Sequence, residues 1–327
     1  MAATSKGRVA SGTAGGGDER RIVVGYDGSA VARAAVAYAA ERVGPGGRLI
    51  VAYVYGAPPE WEGTPYYQSS LDRNQAHARE MLTAIPEDLL RGVEIEPELV
   101  QGRPAEALLQ IAESRDADEI VVGSRGFGPV RATLGSVSHG LLHEANRPVV
   151  VVPARILGSA AGGREASRIV VGYDGSPTAM DALSHAAYRA GPGGELVVVH
   201  AFQLPIEYAA TAFAREALDD LRARAHALMD QVTDELVGGM KLEREVIEGP
   251  APEALVNVAR SRRAREIVVG SRGLGGLRAV LGSVSHALLH EADRPVVVVP
   301  HTLTQEEQEE LIRTRRATQF RRGLLRL

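Results

Sequence analysis

The chain has 327 residues, 45% of them hydrophobic, with 41 acidic against 37 basic side chains and a formal net charge of −4. That length supplies two cores of ordinary domain size, and the slightly acidic balance argues against holding a polyanion by bulk electrostatics, so no nucleic acid partner is expected. No cysteine is present, which excludes disulfides, thiolate metal sites and cysteine nucleophiles.

Residues 1–19 are mostly Ala, Gly, Ser and Thr, lack an apolar segment, and read as a disordered leader, not a signal peptide. No later run approaches the roughly 18–20 apolar residues of a membrane span, so a cytoplasmic protein is expected. A β-branched strand over 21–25 ends in a Gly-Tyr-Asp-Gly-Ser turn and enters an alanine-rich helix over 31–43, which Gly44-Pro45-Gly46-Gly47 stops. A buried strand follows over 49–55, then an irregular loop over 60–67 that holds the only Trp, then a helix over about 70–91. The spacing next predicts a strand over 93–100, a helix over 105–114 started by Pro104, a strand over 119–122, a helix over 136–145 and a final strand between Pro148 and Pro153. Alternating strands and helices with apolar strands specify an α/β fold, a parallel sheet covered on both faces.

The second half retraces this path. Gly25-Tyr26-Asp27-Gly28-Ser29 recurs as Gly172-Tyr173-Asp174-Gly175-Ser176, and Gly123-Ser124-Arg125-Gly126 recurs as Gly270-Ser271-Arg272-Gly273, both at an offset of 147 residues. Residues 119–153 align with 266–300 without a gap and match at 29 of 35 positions, which means two whole domains and not a short-period solenoid. The domains are placed at 20–153 and 168–300, joined by a flexible linker over 154–167, with a longer helix expected over about 209–236. The tail, 301–327, runs from acidic to basic, as suits a helix dipole. It reads as a surface helix or as an amphipathic one that meets a partner or a membrane surface.

In an open parallel sheet, ligands bind beyond the carboxyl ends of the strands where the strand order reverses. The glycine turns fall there. Gly123 and Gly126 allow close backbone approach, and Gly135-Ser136-Val137-Ser138 opens a helix whose N–H groups and hydroxyls suit phosphate oxygens. Gly270, Gly273 and Gly282-Ser283-Val284-Ser285 repeat the arrangement. Asp27 and Asp174 could accept from ribose hydroxyls or an adenine amine, or simply cap the following helix. Arg125 and Arg272 could neutralise phosphate, or be surface arginines. His139 with His143, and His286 with His290, stand at helical spacing, which permits a metal reading but is also explained by interior or surface imidazoles. His200 reads as structural. No P-loop and no Gly-x-Ser-x-Gly elbow occurs, and Ser136 has no evident activating base, so an efficient catalyst is disfavoured.

Together, Gly-x-x-Gly, a spacer, Gly-Ser, an Asp after the first strand and a Pro-Val-Val-Val-Val-Pro final strand resemble the universal stress protein family in its tandem form, over about 20–153 and 168–300. The resemblance implies two Rossmann-like (adenine nucleotide alpha hydrolase-like) domains, each a five-stranded parallel sheet flanked by helices, and the ATP-binding branch of the family. By position, Asp27 would hold the ribose or adenine end and Val54 would line the adenine pocket. Gly123, Gly126, Gly135, Ser136 and Ser138 would surround the phosphates. In the second domain the same roles would fall to Asp174, Ala201, Gly270, Gly273, Gly282, Ser283 and Ser285. The family's spacer is usually nine residues; here it is eight, 127–134 and 274–281. The resemblance further implies an antiparallel contact of the two last strands, hence a pseudo-twofold domain pair, with homodimerisation and a regulatory protein partner open. ATP, with Mg²⁺ held through its phosphates, is the implied cofactor. Three functions stand side by side: a nucleotide-dependent stress sensor or regulator, a slow adenylyl- or phosphoryl-transfer enzyme, and an interaction module that binds no nucleotide.

Overall fold

The computed structural model describes residues 20–44, 47–126, 134–158, 168–209, 213–271 and 281–301. The expected leader, most of the linker (159–167) and the tail beyond residue 301, with its expected helix, lie outside the described residues.

The first half runs β1 (Arg21–Gly25), α1 (Ala30–Val43), β2 (Arg48–Tyr55), α2 (Pro65–Thr83), α3 (Glu87–Leu90), β3 (Glu94–Gln101), α4 (Pro104–Ser114), β4 (Glu119–Gly123), α5 (Ser136–Glu144) and β5 (Val149–Val152). The second runs β6 (Arg168–Gly172), α6 (Pro177–Ala190), β7 (Glu195–Phe202), α7 (Ile206–Ala209), α8 (Ala214–Asp230), β8 (Lys241–Glu248), α9 (Ala251–Ser261), β9 (Glu266–Gly270), α10 (Ser283–Glu291) and β10 (Val296–Val299), with α8 in the place of α2.

Two helices differ from expectation. The helix placed over about 70–91 is two pieces, because Pro65 starts α2 early and Pro86, with no N–H to donate, separates α3 as a single turn. The loop placed over 60–67 is correspondingly shorter. The helix placed over about 209–236 is only α8. Beyond it the chain bends through Thr233 into a 3₁₀ turn, Asp234–Val237, that buries Val232 and Val237 against the core. That burial outweighs continued helix propensity.

The strands form one ten-stranded sheet in the order β3-β2-β1-β4-β5-β10-β9-β6-β7-β8. Within each half the five strands are parallel. The halves join where β10 pairs antiparallel with β5, Val297 opposite Val150. Those two valines are 147 residues apart, so the pseudo-twofold axis passes through their pair. Alternation along the strands sends Ile22, Val24, Val150 and Val297 to one face and Val23, Val149, Val151 and Val298 to the other, and each core runs unbroken across the seam.

A polar cluster bridges the seam on the α1/α6 face. Arg189, near the end of α6, is fully buried and pairs with Glu119 at the start of β4 and with Glu266 at the start of β9, its Nε lying 2.7 Å from Glu266 Oε1. The Tyr38 hydroxyl of α1 accepts from Arg189 and donates to Glu266. Burial alone would raise the Glu266 carboxyl; the Arg189 guanidinium overrides that and holds it far below the usual range. Burial also pushes the Tyr38 phenol well up, so it stays a neutral donor.

Helix α1 is fixed at both ends. Ser29 caps it, its hydroxyl accepting from Ala32 N–H at 3.1 Å, and Gly44, at φ 82°, returns its N–H to Ala40 O at 3.0 Å. Because Ser29 is buried, Ser29→Ala should cost about 1 kcal/mol, read as a shifted denaturation midpoint at constant slope.

Candidate functional site

After β1, β2 and β3 the chain crosses back to place β4 on the other side of β1, so the strand order reverses between β1 and β4. At the carboxyl ends of these two strands lies a cavity of about 420 Å³. All nine residues singled out in the first half line it: Asp27, Val54, Gly123, Arg125, Gly126, Gly135, Ser136, Val137 and Ser138. The sequence reading missed Tyr26 beside Asp27, Ala52 on β2, and Pro104 and Leu108 on α4. Tyr26 belongs to the repeated turn and was findable. Leu108 was not, because only the packing of α4 on the sheet brings it to the rim.

Three glycines hold the walls close. A methyl at Gly123 would lie 2.9 Å from the Val31 side chain and 3.2 Å from Arg125 O; at Gly135 it would meet Ser124 O at 3.3 Å; at Gly126 it would overlap Asp27 Oδ2. Main-chain bonds Ser124 N→Val152 O and Gly135 N→Ser124 O, each 2.8 Å, tie the turn to the sheet and to α5. The buried Ser138 hydroxyl donates to Gly123 O at 2.9 Å, so its proton closes the turn and only its lone pairs face the cavity. Gly135 gives α5 no side-chain cap, and the first-turn N–H groups of a helix have no intrahelical acceptor. That end carries partial positive charge.

Asp27 braces the residue that caps α1, Ser29, and does not cap the helix itself. Its Oδ1 accepts from Ser29 N at 2.9 Å, the capping turn, while Oδ2 points toward Gly126. Burial, and then the nearby Asp27 carboxylate, push the Tyr53 phenol above its ordinary range. Arg125 is half-buried and lines the cavity.

The second half copies much of this. Asp174 Oδ1 accepts from Ser176 N at 3.0 Å, and the Ser285 hydroxyl donates to Gly270 O at 2.7 Å. Gly282, Ser283 and Val284 stand at the start of α10, and Ala201 replaces Val54 on β7. Arg272, Gly273 and most of both spacers (127–133 and 274–280) lie outside the described residues. The walls differ: Val199 stands for Ala52, and a methyl at Gly270 would meet the Thr178 carbonyl at 2.8 Å.

The histidine pairs contact each other, with ring centroids 4.4 Å apart for His139 and His143 and 4.9 Å for His286 and His290. Among the described residues no three His, Asp or Glu gather as metal ligands. His200 Nδ1 lies 2.8 Å from Tyr173 O, which suits the structural reading. No helix of the described residues is long and apolar enough to cross a membrane.

Residues 19–153 and 165–300 each match the profile of the universal stress protein family. A universal stress protein of Mycolicibacterium smegmatis is 32% identical over 295 residues, covering 86% of this chain and 97% of its own length. One from Thermus aquaticus is 40% identical over 142 residues, 41% of this chain and 98% of its own. The crystal structure of a universal stress protein from Archaeoglobus fulgidus superposes with a TM-score of 0.64 at 23% identity, over 86% of this chain and 97% of that one, and so shares the fold. Two copies of the repeated glycine turn, one continuous sheet and two family matches end to end make the chain a tandem member of the universal stress protein family.

Proposed function

We propose that this chain is a cytoplasmic, ATP-binding regulator or sensor in the stress response, and that the cavity between β1 and β4 is its nucleotide site. The observation that supports this most is the cradle: close-set turns at Gly123, Gly126 and Gly135, where a methyl would strike the neighbouring groups, beside the uncapped start of α5. Such a helix start is suited to phosphate. Gly123, Gly126, Gly135 and the first turn of α5 at Ser136–Ser138 would hold the phosphates, with Arg125 balancing their charge. Asp27 Oδ2 would take the ribose or adenine end, and Val54 would line the base. Their counterparts, including Arg272 and Gly273, would act in the second half. ATP supplies the phosphate charge through which Mg²⁺ is held, so few protein ligands are needed.

The lining favours holding over turnover. Asp27 is its one carboxylate among the described residues, and one oxygen of it is committed to Ser29. A regulatory protein partner would then read the nucleotide state, and the pseudo-twofold pair could assemble further into a homodimer.

Calorimetric titration of ATP, with and without Mg²⁺, into the nucleotide-stripped full chain tests the reading. Saturable binding at one to two sites per chain is expected. No binding by correctly folded protein would overturn it and leave an interaction module as the account.

A further inference from the structure

The buried cluster on the pseudo-twofold axis has two unequal halves. The 147-residue offset relates Tyr38 to His185, Arg42 to Arg189 and Glu119 to Glu266. In the half built on Arg189 the polar groups are joined. Arg189 Nε donates to Glu266 Oε1 at 2.7 Å, its Nη2 donates to Glu266 Oε2 at 2.9 Å and to Tyr38, and Tyr38 donates to Glu266. In the other half, Arg42 Nε, Glu119 Oε1 and His185 Nε2 are each buried with no hydrogen-bond partner among the described residues. They make up three of the six such atoms in the described residues, and all three are symmetry mates of one joined trio.

One residue breaks the symmetry. An imidazole is shorter than a phenol, so His185 does not reach Glu119 as Tyr38 reaches Glu266. Glu119 gives its other oxygen to Arg189, and Arg42 turns its Nη1 to the Arg189 carbonyl at 3.0 Å. What is left unmatched is one N–H donor, one carboxylate oxygen and one imidazole nitrogen. That set matches the three hydrogen bonds a buried water typically makes.

We propose that this half of the cluster is a site for one buried water molecule, standing where the Tyr38 hydroxyl stands in the other half, and that it holds only while His185 is neutral, so that acid loosens the pairing of the two domains. The water accepts from Arg42 Nε and donates to Glu119 Oε1 and to the His185 Nε2 lone pair. A proton on Nε2 removes that acceptor. It also adds a positive charge where Arg189 of the same helix, Arg42 of α1 and Arg20 already stand. The facing carboxylate, Glu266, is held by Arg189 and Tyr38. Glu119 is paired with Arg189, and the Tyr188 ring, 6.4 Å away, has Arg20 over it.

Burial, and then Arg189, lower the His185 imidazole from 6.5 to about 3. A base depressed in this way contributes stability that is complete above pH 6.5 and is lost progressively as pH falls toward 3. Between pH 7 and pH 5, this one group should shift the folding equilibrium of the full chain about 25-fold toward opening.

The test is His185→Tyr, which places a hydroxyl at the water position. In a high-resolution crystal structure of the wild type, a water peak should lie within hydrogen-bond reach of Arg42 Nε, Glu119 Oε1 and His185 Nε2, and the variant should replace it with its phenol oxygen. In denaturation at pH 7 and pH 5, the variant should lack about 25-fold of the acid loss shown by the wild type. Absence of that water, or equal acid loss in both proteins, would overturn the proposal. If the variant does not fold, the His185 ring signals of the wild type decide by NMR. An imidazole still neutral at pH 5 supports the proposal, and one that titrates near pH 6.5 in the paired protein ends it.

Discussion

Arg189→Met is expected to destabilise the chain by about 3–5 kcal/mol, and to weaken both halves at once. The side chains of Arg189 and Glu266 are 0% exposed and that of Glu119 is 3% exposed, so the guanidinium is the group that neutralises two carboxylates taken out of water. Without it, two like charges face each other across the seam, with no guanidinium donating to either and the Tyr38 hydroxyl left to Glu266. Their protonation would rise, so the deficit should shrink on acidification, opposite to the effect expected from His185. Breaking a buried ion pair differs from replacing it. The triple variant Arg189→Met, Glu119→Gln, Glu266→Gln should therefore recover a large part of the loss. Denaturation midpoints at pH 7 and pH 5 check both statements. A single-variant cost below about 1 kcal/mol would mean that water reaches the cluster and screens it.

Gly126→Ala should leave folding within about 0.5 kcal/mol of the wild type, because residue 126 is exposed, yet weaken ATP at least about tenfold, or 1.4 kcal/mol. The new methyl would overlap Asp27 Oδ2, while Asp27 is anchored through Oδ1 to Ser29. The turn must therefore move away from the carboxylate, and the two sides of the cradle part. Gly273→Ala makes the matching change in the second half, so the calorimetric stoichiometry of each single variant reports which half binds. Unchanged affinity in both would place the nucleotide elsewhere and sink the proposed site.

Much of the site was legible because its parts are local. A glycine that must admit a close wall, an Asp that braces a helix-capping Ser two residues on and a helix opened by Gly-Ser all leave marks within a few residues, and the duplication shows which of those marks recur. Residues reaching the cavity from elsewhere left none. Leu108 sits on α4 as an ordinary apolar residue, and only the packing of that helix over β1 and β2 brings it there. Only one of the two overlong helices has the same origin. Pro86 was a local signal to stop, whereas the bend after α8 follows from burying Val232 and Val237, which no local pattern reveals.

By itself, the sequence determined that there are two α/β units, where their strands and glycine turns fall, and which of the turn residues line the crevice between β1 and β4. Hydrophobic alternation and glycine placement act over a few residues, and the chain order of strands does the rest. The tertiary structure alone decided how the final strands align, with Val150 opposite Val297, and that Glu119, Arg189 and Glu266 share one buried site. Those three stand 70 and 77 residues apart, in segments that read as the polar ends of strands and helices. Their burial is a property of the seam. It exists only once β5 and β10 have paired and α1 and α6 have closed over the carboxylates.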